Sequence, residues 1–432
     1  MKALTHLDVA KRHLPMIGRL MVRKRYGDFW EEETRTLPWP FGGLRRKYKA
    51  FADEYIRPRA LGVDQDVSAL DKEWLFTEYA RRGWASELLP WPIGGMKVAA
   101  LRSYGLHAAL KMEELCAACG GIALMLGAHD LGMAPLLMSG DLKVLWDWTI
   151  PIYKRLNKGE RAVWAFAITE PGAGSDVEET EGALKARVVT RAKRAEGGYV
   201  LNGRKVFISD GGIADYVTVF ACLGDEGVES WTCFVVESGM KGFTKGRREK
   251  KMGQKAGDAT ELIFEDVFVP DRNRVGPERS GWALNRNVLN FSRPVVGAIA
   301  LGIARGAFEH CLEFCQNTRQ GPRRLVEYQE VQLALAEMMI RLMAGRSLIW
   351  HAGRFMPPLP LTSAAAKVFC SDTAVTVCAS AMDIMGDHAY MHGNYVEKAL
   401  RDARLTQIYE GTNQINRLGI IEDMWEHELR EV

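Results

Sequence analysis

The feature that most constrains this chain is that its hydrophobic period changes twice. From about Leu44 to Lys158 apolar residues recur three and four apart, as in LRRKYKAFADEYIRP, KEWLFTEYARRGW and LRSYGLHAALKMEELCAA. That is the spacing of helices with one buried face. Beyond Arg161 the period becomes two, and ARVVTRAKR, YVLNGRKVFIS, YVTVFACL, TCFVVES and TELIFEDVFVP are separated by EGG, DGG and GDEG turns, which reads as β-strands. After Gly276 the helical period returns in long Ala-rich stretches and holds to the end, as in a helix bundle. The chain is therefore expected to be α+β: an N-terminal arm over 1–40, an all-helical domain over 41–162, a central antiparallel β domain over 163–275 and a C-terminal helical bundle over 276–432. At 432 residues it exceeds the ~250–300 residues at which one core stops growing, so several units are required.

Composition narrows the partners. With 57 basic against 54 acidic residues the net charge is +3, too little to recruit nucleic acid or an anionic membrane surface. Eight cysteines are too few for a disulfide framework, and the CxxC of Cys116 and Cys119 lies in an apolar helical run where buried thiols are expected. The apolar stretches are interrupted by Gly, Asp, His or Lys before the ~18 residues of a membrane span, so no transmembrane helix is expected. The first thirty residues are basic and apolar without a continuous h-region or cleavage site. They read as an arm packing on the body or on a neighbouring subunit, with a transit peptide or surface anchor as the alternative, and the cytoplasm is the expected location.

Three segments carry chemistry. In ITEPGAGSD (168–176) a strand gives way to Pro171, Gly172 and Gly174; the glycines admit close approach of a ligand, and Thr169 and Ser175 add hydroxyls. An ordinary Gly/Pro loop is the plainer reading. In YVLNGRKVFISDGG, Phe207 and Ser209 stand two apart, so strand alternation puts a ring and a hydroxyl on one face, toward one planar ligand or simply within a half-buried hairpin. In LRDARLTQIYEGTNQINRLGI, Tyr409, Glu410, Gly411 and Thr412 interrupt two helical stretches. A partly buried carboxylate beside a glycine is a candidate general base; a helix cap formed by Thr412 is the alternative.

Taken together, with FVVESGMKGFTKGRREKKMGQKAGDATELIFEDVFVP and FSRPVVGAIALGIARGAFE, these segments resemble the acyl-CoA dehydrogenase family from about Leu44 to Ile420. The resemblance implies a C-terminal four-helix bundle, bound FAD, an acyl-CoA substrate, electron-transfer flavoprotein as acceptor and a homotetramer with FAD between subunits. It implies that Phe166, Ile168 and Thr169 run along the flavin, that Gly174 belongs to its binding loop, and that Ser175 reaches the FAD pyrophosphate and the nucleotide end of the thioester. Phe207 falls where a Trp usually packs on the isoalloxazine, and Ser209 where a Thr bonds near its N5. Tyr409 matches the substrate-gating aromatic and Glu410 the catalytic base, with Gly411, Thr412 and Gln414 near the adenylate half. The base would take the α-proton while the β-hydride passes to the flavin, the thioester carbonyl being held by the Glu410 N–H and a ribityl hydroxyl. Arg293 matches an arginine beside the substrate channel; Asn290 stands where a pantetheine-binding Asp is common. The alternative position for the base, one before that arginine, is Ser292, which cannot act as one.

Two segments depart from the family pattern. TRQGPRR puts Thr318 and Gly321 where an Arg and a Phe reach the FAD of an adjacent subunit, leaving Arg319, Arg323 or Arg324 as substitutes. DIMGDHAY puts Asp383 and Asp387 around Gly386, close to an expected pyrophosphate contact, with His388 available to pair with the extra charge. The stretch IALMLGAHDLG (122–132) resembles the helix that lines the acyl chain, and Ala123, Leu124, Gly127, Ala128 and Leu131 would leave an apolar, roomy pocket for a branched, cyclic or medium-length acyl group, with His129 placed to meet a distal polar end. Relatives with another outcome remain open from sequence: an acyl-CoA oxidase, a C–C or C–S cleaving or decarboxylating enzyme, or a non-catalytic DNA-binding relative.

Overall fold

The computed structural model describes residues 15, 29–178, 180–224 and 226–430. Most of the arm expected over residues 1–40 lies outside them.

The N-terminal helices form where the apolar spacing predicts. The principal ones are α1 (Phe41–Phe51), α2 (Lys72–Arg81), α3 (Tyr104–Cys116) and α4 (Gly120–Met138). Asp71 starts α2 by accepting a hydrogen bond from the Trp74 N–H at 2.9 Å, satisfying one of the donors a helix leaves open at its first turn. The C-terminal helices are α5 (Gly281–Asn317), α6 (Gln329–Ala352), α7 (Pro360–Met385), α8 (Tyr395–Leu405) and α9 (Asn413–Arg430). In α5, Pro294 has no N–H to return to the Asn290 carbonyl, which loosens the helical ladder at the turn carrying Ser292 and Arg293.

Between the helical units lies an eight-stranded sheet of β1 (Trp164–Ala167), β2 (Arg191–Ala195), β3 (Gly198–Ser209), β4 (Tyr216–Leu223), β5 (Trp231–Glu237), β6 (Phe243–Arg248), β7 (Ala259–Pro270) and β8 (Arg274–Val275). The order is β6-β7-β3-β2-β4-β5-β8, with β1 also on β4. The sheet is mixed rather than purely antiparallel, because β4 runs parallel to both β1 and β2. A period of two identifies strands but carries no direction, and strands not joined by a hairpin are free to lie parallel.

The sheet and the N-terminal helices meet at Gly132 of α4: a Cβ there would lie 2.7 Å from the Ala165 nitrogen of β1, so only glycine allows the helix so close to the strand. The helical units are joined by a buried charge lattice that periodicity did not suggest. Arg45 of α1 bonds Glu114 at 2.6 Å, Arg305 of α5 bonds Glu113 and Glu114 at 2.8 Å each, and Arg346 of α6 bonds Glu113 at 3.2 Å.

All eight cysteines are buried and free, including Cys116 and Cys119, as the apolar run around them implied. The expectation about apolar stretches needs correction. Gly120–Met138, Gly281–Asn317 and the stretch Pro360–Ala389 are long and apolar enough to cross a membrane by length and composition, with mean hydropathy 1.4, 1.4 and 1.3. The isolated polar residues that interrupt their runs are too few to lower that average. Here 67%, 78% and 50% of these windows is buried inside the protein, so much of their apolar surface packs on other elements.

Candidate active site

Where the end of β1, the end of β3, α4, α5 and the turn before α9 converge, they enclose a recess of about 310 Å³. The three sequence segments that carried chemistry meet here. Phe166, Ile168, Thr169, Gly174, Ser175, Phe207, Ser209, Tyr409 and Glu410 line it, together with Ala128 and Leu131 of α4.

The turn that presents Glu410 is built from two consecutive left-handed residues, Glu410 (φ 57°) and Gly411 (φ 78°). Gly411 is required, because a Cβ there would stand 2.1 Å from Glu178 Oε2 as well as in a backbone region side chains avoid. Three donors hold the turn: Lys367 Nζ reaches the Gly411 carbonyl at 2.7 Å, Asn416 Nδ2 reaches the same oxygen at 2.9 Å, and the Thr412 N–H donates to Ser175 Oγ at 3.1 Å. The last bond ties the ITEPGAGSD loop to the tail. Thr412 also accepts from the Ile415 N–H at 3.3 Å, so the helix-cap reading of this segment holds beside the functional one.

Glu410 takes a hydrogen bond from Ser292 Oγ at 2.9 Å on Oε2. Burial pushes its proton affinity above the usual carboxylate range, while the Ser292 hydroxyl, Arg293 and Lys367 pull it down. Among the described residues no hydrogen bond is found for its Oε1 or its backbone N–H. Lys367 sits on α7 with its own affinity pushed down to about 7 by burial, opposed by Glu178 and Glu410. The guanidinium of Arg293 meets Glu178 Oε2 at 3.2 Å and Asn290 Oδ1 at 3.3 Å.

At the other wall β3 does not alternate plainly. Its pairing with β7 slips between Lys205 and Ile208, the Val206 N–H turns to the Thr169 carbonyl at 2.9 Å, and Phe207 takes φ 59°. This bulge brings Phe207, Ile208 and Ser209 all to the recess, where a regular strand would bring only alternate residues. Phe207 is 60% exposed, a large ring left open at the wall of the recess.

Other sequence expectations are displaced. Ala123 is fully buried in the core, Leu124 is half-buried, and Gly127 lines a separate small cavity that it shares with Leu131. His129 does not face an acyl pocket: its Nε2 bonds the Ala85 carbonyl at 3.0 Å and its Nδ1 accepts from the Trp164 N–H at 3.3 Å. Asn290, Arg293, Thr412 and Gln414 do not line the recess; the first three act on its supports and Gln414 is exposed. Arg319 stands on an exposed two-stranded hairpin with Arg323 and Arg324, its guanidinium on the Pro322 carbonyl at 2.6 Å. Asp383 and Asp387 are exposed and Gly386 is half-buried. His388 packs on the Phe314 ring at 5.0 Å, and among the described residues it forms no ion pair with either aspartate. These segments thus lie off the recess of their own chain.

Sequence reasoning missed Glu178 and Lys367 and dismissed Ser292. A lysine alone in the apolar run AAAKVFC was the available signal, since a buried ammonium needs dedicated partners.

Family models for the acyl-CoA dehydrogenase N-terminal, middle and C-terminal domains match residues 43–148, 165–267 and 279–424. The chain belongs to the acyl-CoA dehydrogenase family. Among relatives, the cyclohex-1-ene-1-carbonyl-CoA dehydrogenase of Syntrophus aciditrophicus is 35% identical over 383 residues, covering 87% of this chain and 87% of its own length. The enzyme of the same name from Geobacter metallireducens is 37% identical over 378 residues, covering 85% and 93%. Among solved structures, butyryl-CoA dehydrogenase from Megasphaera elsdenii superposes with a TM-score of 0.82 at 30% identity, covering 90% of this chain and 99% of that one. As a member of the acyl-CoA dehydrogenase family the chain is an oxidoreductase acting on acyl-CoA thioesters, which leaves the non-catalytic DNA-binding reading without support.

Proposed function

We propose that the chain oxidises a cyclic or branched acyl-CoA at its α and β carbons, with Glu410 as the base and FAD as the acceptor. The observation that carries this reading is the Glu410 carboxyl, raised in proton affinity by burial, at the wall of the recess and held on one oxygen by Ser292.

The recess fits a flavin ring. One wall offers the apolar Phe166 and Ile168 and the open ring of Phe207, and the hydroxyls of Thr169 and Ser209 stand beside them, a donor and acceptor set suited to a flat ring with polar edges. When bound, FAD supplies the acceptor for the hydride that leaves the β-carbon. The chain's own work is then to bind, orient and move one proton. Phe166, Ile168 and Phe207's neighbour Ile208 give the ring an apolar bed, while Thr169, Ser175 and Ser209 hold polar edges. Glu410 Oε1 takes the α-proton, Ser292 keeps the carboxylate turned the right way, and the Glu410 N–H is placed to steady the thioester oxygen as negative charge develops, an interaction worth ~3–4 kcal/mol. The apolar residues Leu131 and Leu289 line the recess, and a bound acyl chain against them would exclude water around the base and keep its affinity for the proton high.

The names of the two dehydrogenase relatives favour a ring-bearing acyl group. Electron-transfer flavoprotein is the proposed acceptor of the electrons. A homotetramer is the proposed assembly, and exposed Leu333, Ile340 and Met343 on α6 with Leu418, Ile421 and Trp425 on α9 offer apolar surface for a second copy.

Anaerobic titration of the yellow protein with a panel of acyl-CoA thioesters tests the proposal. Bleaching by cyclic acyl-CoA is the expected result; bleaching by short straight chains alone overturns the substrate class.

A further inference from the structure

A second cavity, of about 60 Å³, lies between α3, α4 and α5. It adjoins the recess, since Leu131 lines both, and Ser292, the partner of Glu410, is on its wall. An acyl group whose α-carbon sits at Glu410 therefore has this cavity beside it. Met112, Val288 and Val295 face it. Its two charged members, Lys111 and Asp130, meet each other at 2.9 Å within a buried network that includes Tyr79, Glu87 and His107. The surface left to a ligand is almost wholly apolar.

A third cavity lies beyond it, larger at about 440 Å³ and again apolar. Leu89, Leu101, Leu137 and Leu145 line it, and it opens to solvent past Leu142 and Met356, which are 79% and 65% exposed. The second and third cavities have four wall residues in common, namely Leu88, Tyr104, Ala134 and Phe291. Two of these are large rings that touch. Tyr104 begins α3 and Phe291 belongs to α5, and their ring centroids are 4.6 Å apart with the planes tilted by 44°. Both are nearly buried, at 8% and 9% exposed. A pair of rings in contact, each bordering both cavities, is a partition between them.

Resting on the reading that Glu410 is the base, we propose that Tyr104 and Phe291 set the length of the acyl group the enzyme accepts, ending the acyl site at the small cavity and closing off the larger one. A compact acyl group loses its water on the near side of the rings. A long straight chain meets them and keeps methylenes in water, forfeiting the gain of burial. The rings resist displacement because they pack on each other, and moving one opens a void against the other.

The test compares butyryl-CoA, cyclohexanecarbonyl-CoA and hexadecanoyl-CoA on the purified FAD-loaded enzyme. In the wild type, kcat/KM for hexadecanoyl-CoA is expected to lie at least roughly tenfold below that of the better compact thioester. Phe291→Ala joins the two cavities and is expected to raise that ratio by roughly tenfold or more. A disturbance carried to Ser292 and Glu410 instead lowers all three rates together and leaves the ratio unchanged. Tyr104→Ala opens the same partition from the other helix and serves if the first variant does not fold. Leu101→Trp, which fills the larger cavity alone, should cancel the gain when added to Phe291→Ala and leave the wild-type ratio as it was. Hexadecanoyl-CoA oxidised by the wild type as well as the compact thioesters, a ratio that stays put in both ring variants, or a gain that survives Leu101→Trp overturns this inference while leaving the base assignment standing. Failure of every thioester to bleach the flavin removes both.

Discussion

Ser292 and Glu410 stand 118 positions apart in the chain, and the serine hydroxyl donates to Glu410 Oε2 at 2.9 Å. A hydrogen bond to the charged form of an acid favours that form, so Ser292 restrains the rise that burial imposes on the carboxyl. Ser292→Ala is expected to move the acidic limb of the kcat profile to higher pH. The loss of rate should be largest at low pH and small on the alkaline plateau. A profile that does not move shows that the serine has no hold on the proton.

Glu410→Gln keeps the shape of the turn and removes the proton acceptor. The purified variant is expected to stay yellow and bind acyl-CoA, with kcat lowered by roughly a thousandfold or more, toward the upper range of general-base effects. Rapid-mixing measurement of flavin reduction checks it; near-normal reduction means another group takes the proton.

Gly411→Ala places a methyl where Glu178 Oε2 already stands and a side chain at φ 78°. The backbone conformation alone costs ~1–2 kcal/mol, and the displaced carboxylate adds to that. Urea unfolding should show a loss of about 2 kcal/mol or more, with Glu410 thrown out of position and turnover reduced along with stability.

Lys367 links stability to pH. Its ordinary value near ~10.4 is pushed to about 7 in the fold by burial, so between these values the unfolded chain holds a proton that the native chain releases. Stability from this group is therefore complete above the ordinary value, declines as pH falls, and is lost by about pH 7, where the slope ends. Lys367→Met should flatten the dependence across that window. It should also cost about 1–3 kcal/mol by removing a donor from the Gly411 carbonyl and from Asn413 Oδ1, the range for a buried group left short of a partner. Urea midpoints measured at several pH values separate the two effects.

Phe207 is 60% exposed, so Phe207→Ala is expected to change folding stability by only ~0.5 kcal/mol while the purified protein loses much of its flavin. Phe207→Trp should retain it. The ratio of flavin to protein absorbance gives the answer, and full flavin content in the alanine variant removes the ring from the proposed cofactor bed.

Helices and strands were legible because burial of one face imprints a period, and the three segments of the recess were legible because glycines and hydroxyls interrupt that period. What sequence could not show was how those segments lean on one another. The Ser175–Thr412 bond, the Ser292–Glu410 bond and the Lys367–Gly411 bond join residues with no local signature. The bulge at Phe207 was hidden for a related reason: VFIS reads as regular alternation, and only the competing Thr169 carbonyl draws the Val206 N–H aside. His129 looked available because it is polar within an apolar helix, yet two backbone groups already use both its nitrogens.

Glu113 and Glu114 are neighbours on α3, yet between them they serve arginines from α1, α5 and α6. Replacing one of these acids would take a partner from two buried arginines at once, although Arg45 keeps Glu31, Arg346 keeps Glu33 and Arg305 keeps the other acid, so the loss would exceed that of any single contact. Mutational drift at this junction is therefore constrained to move several positions together, and libraries that vary one position at a time will find it almost immutable.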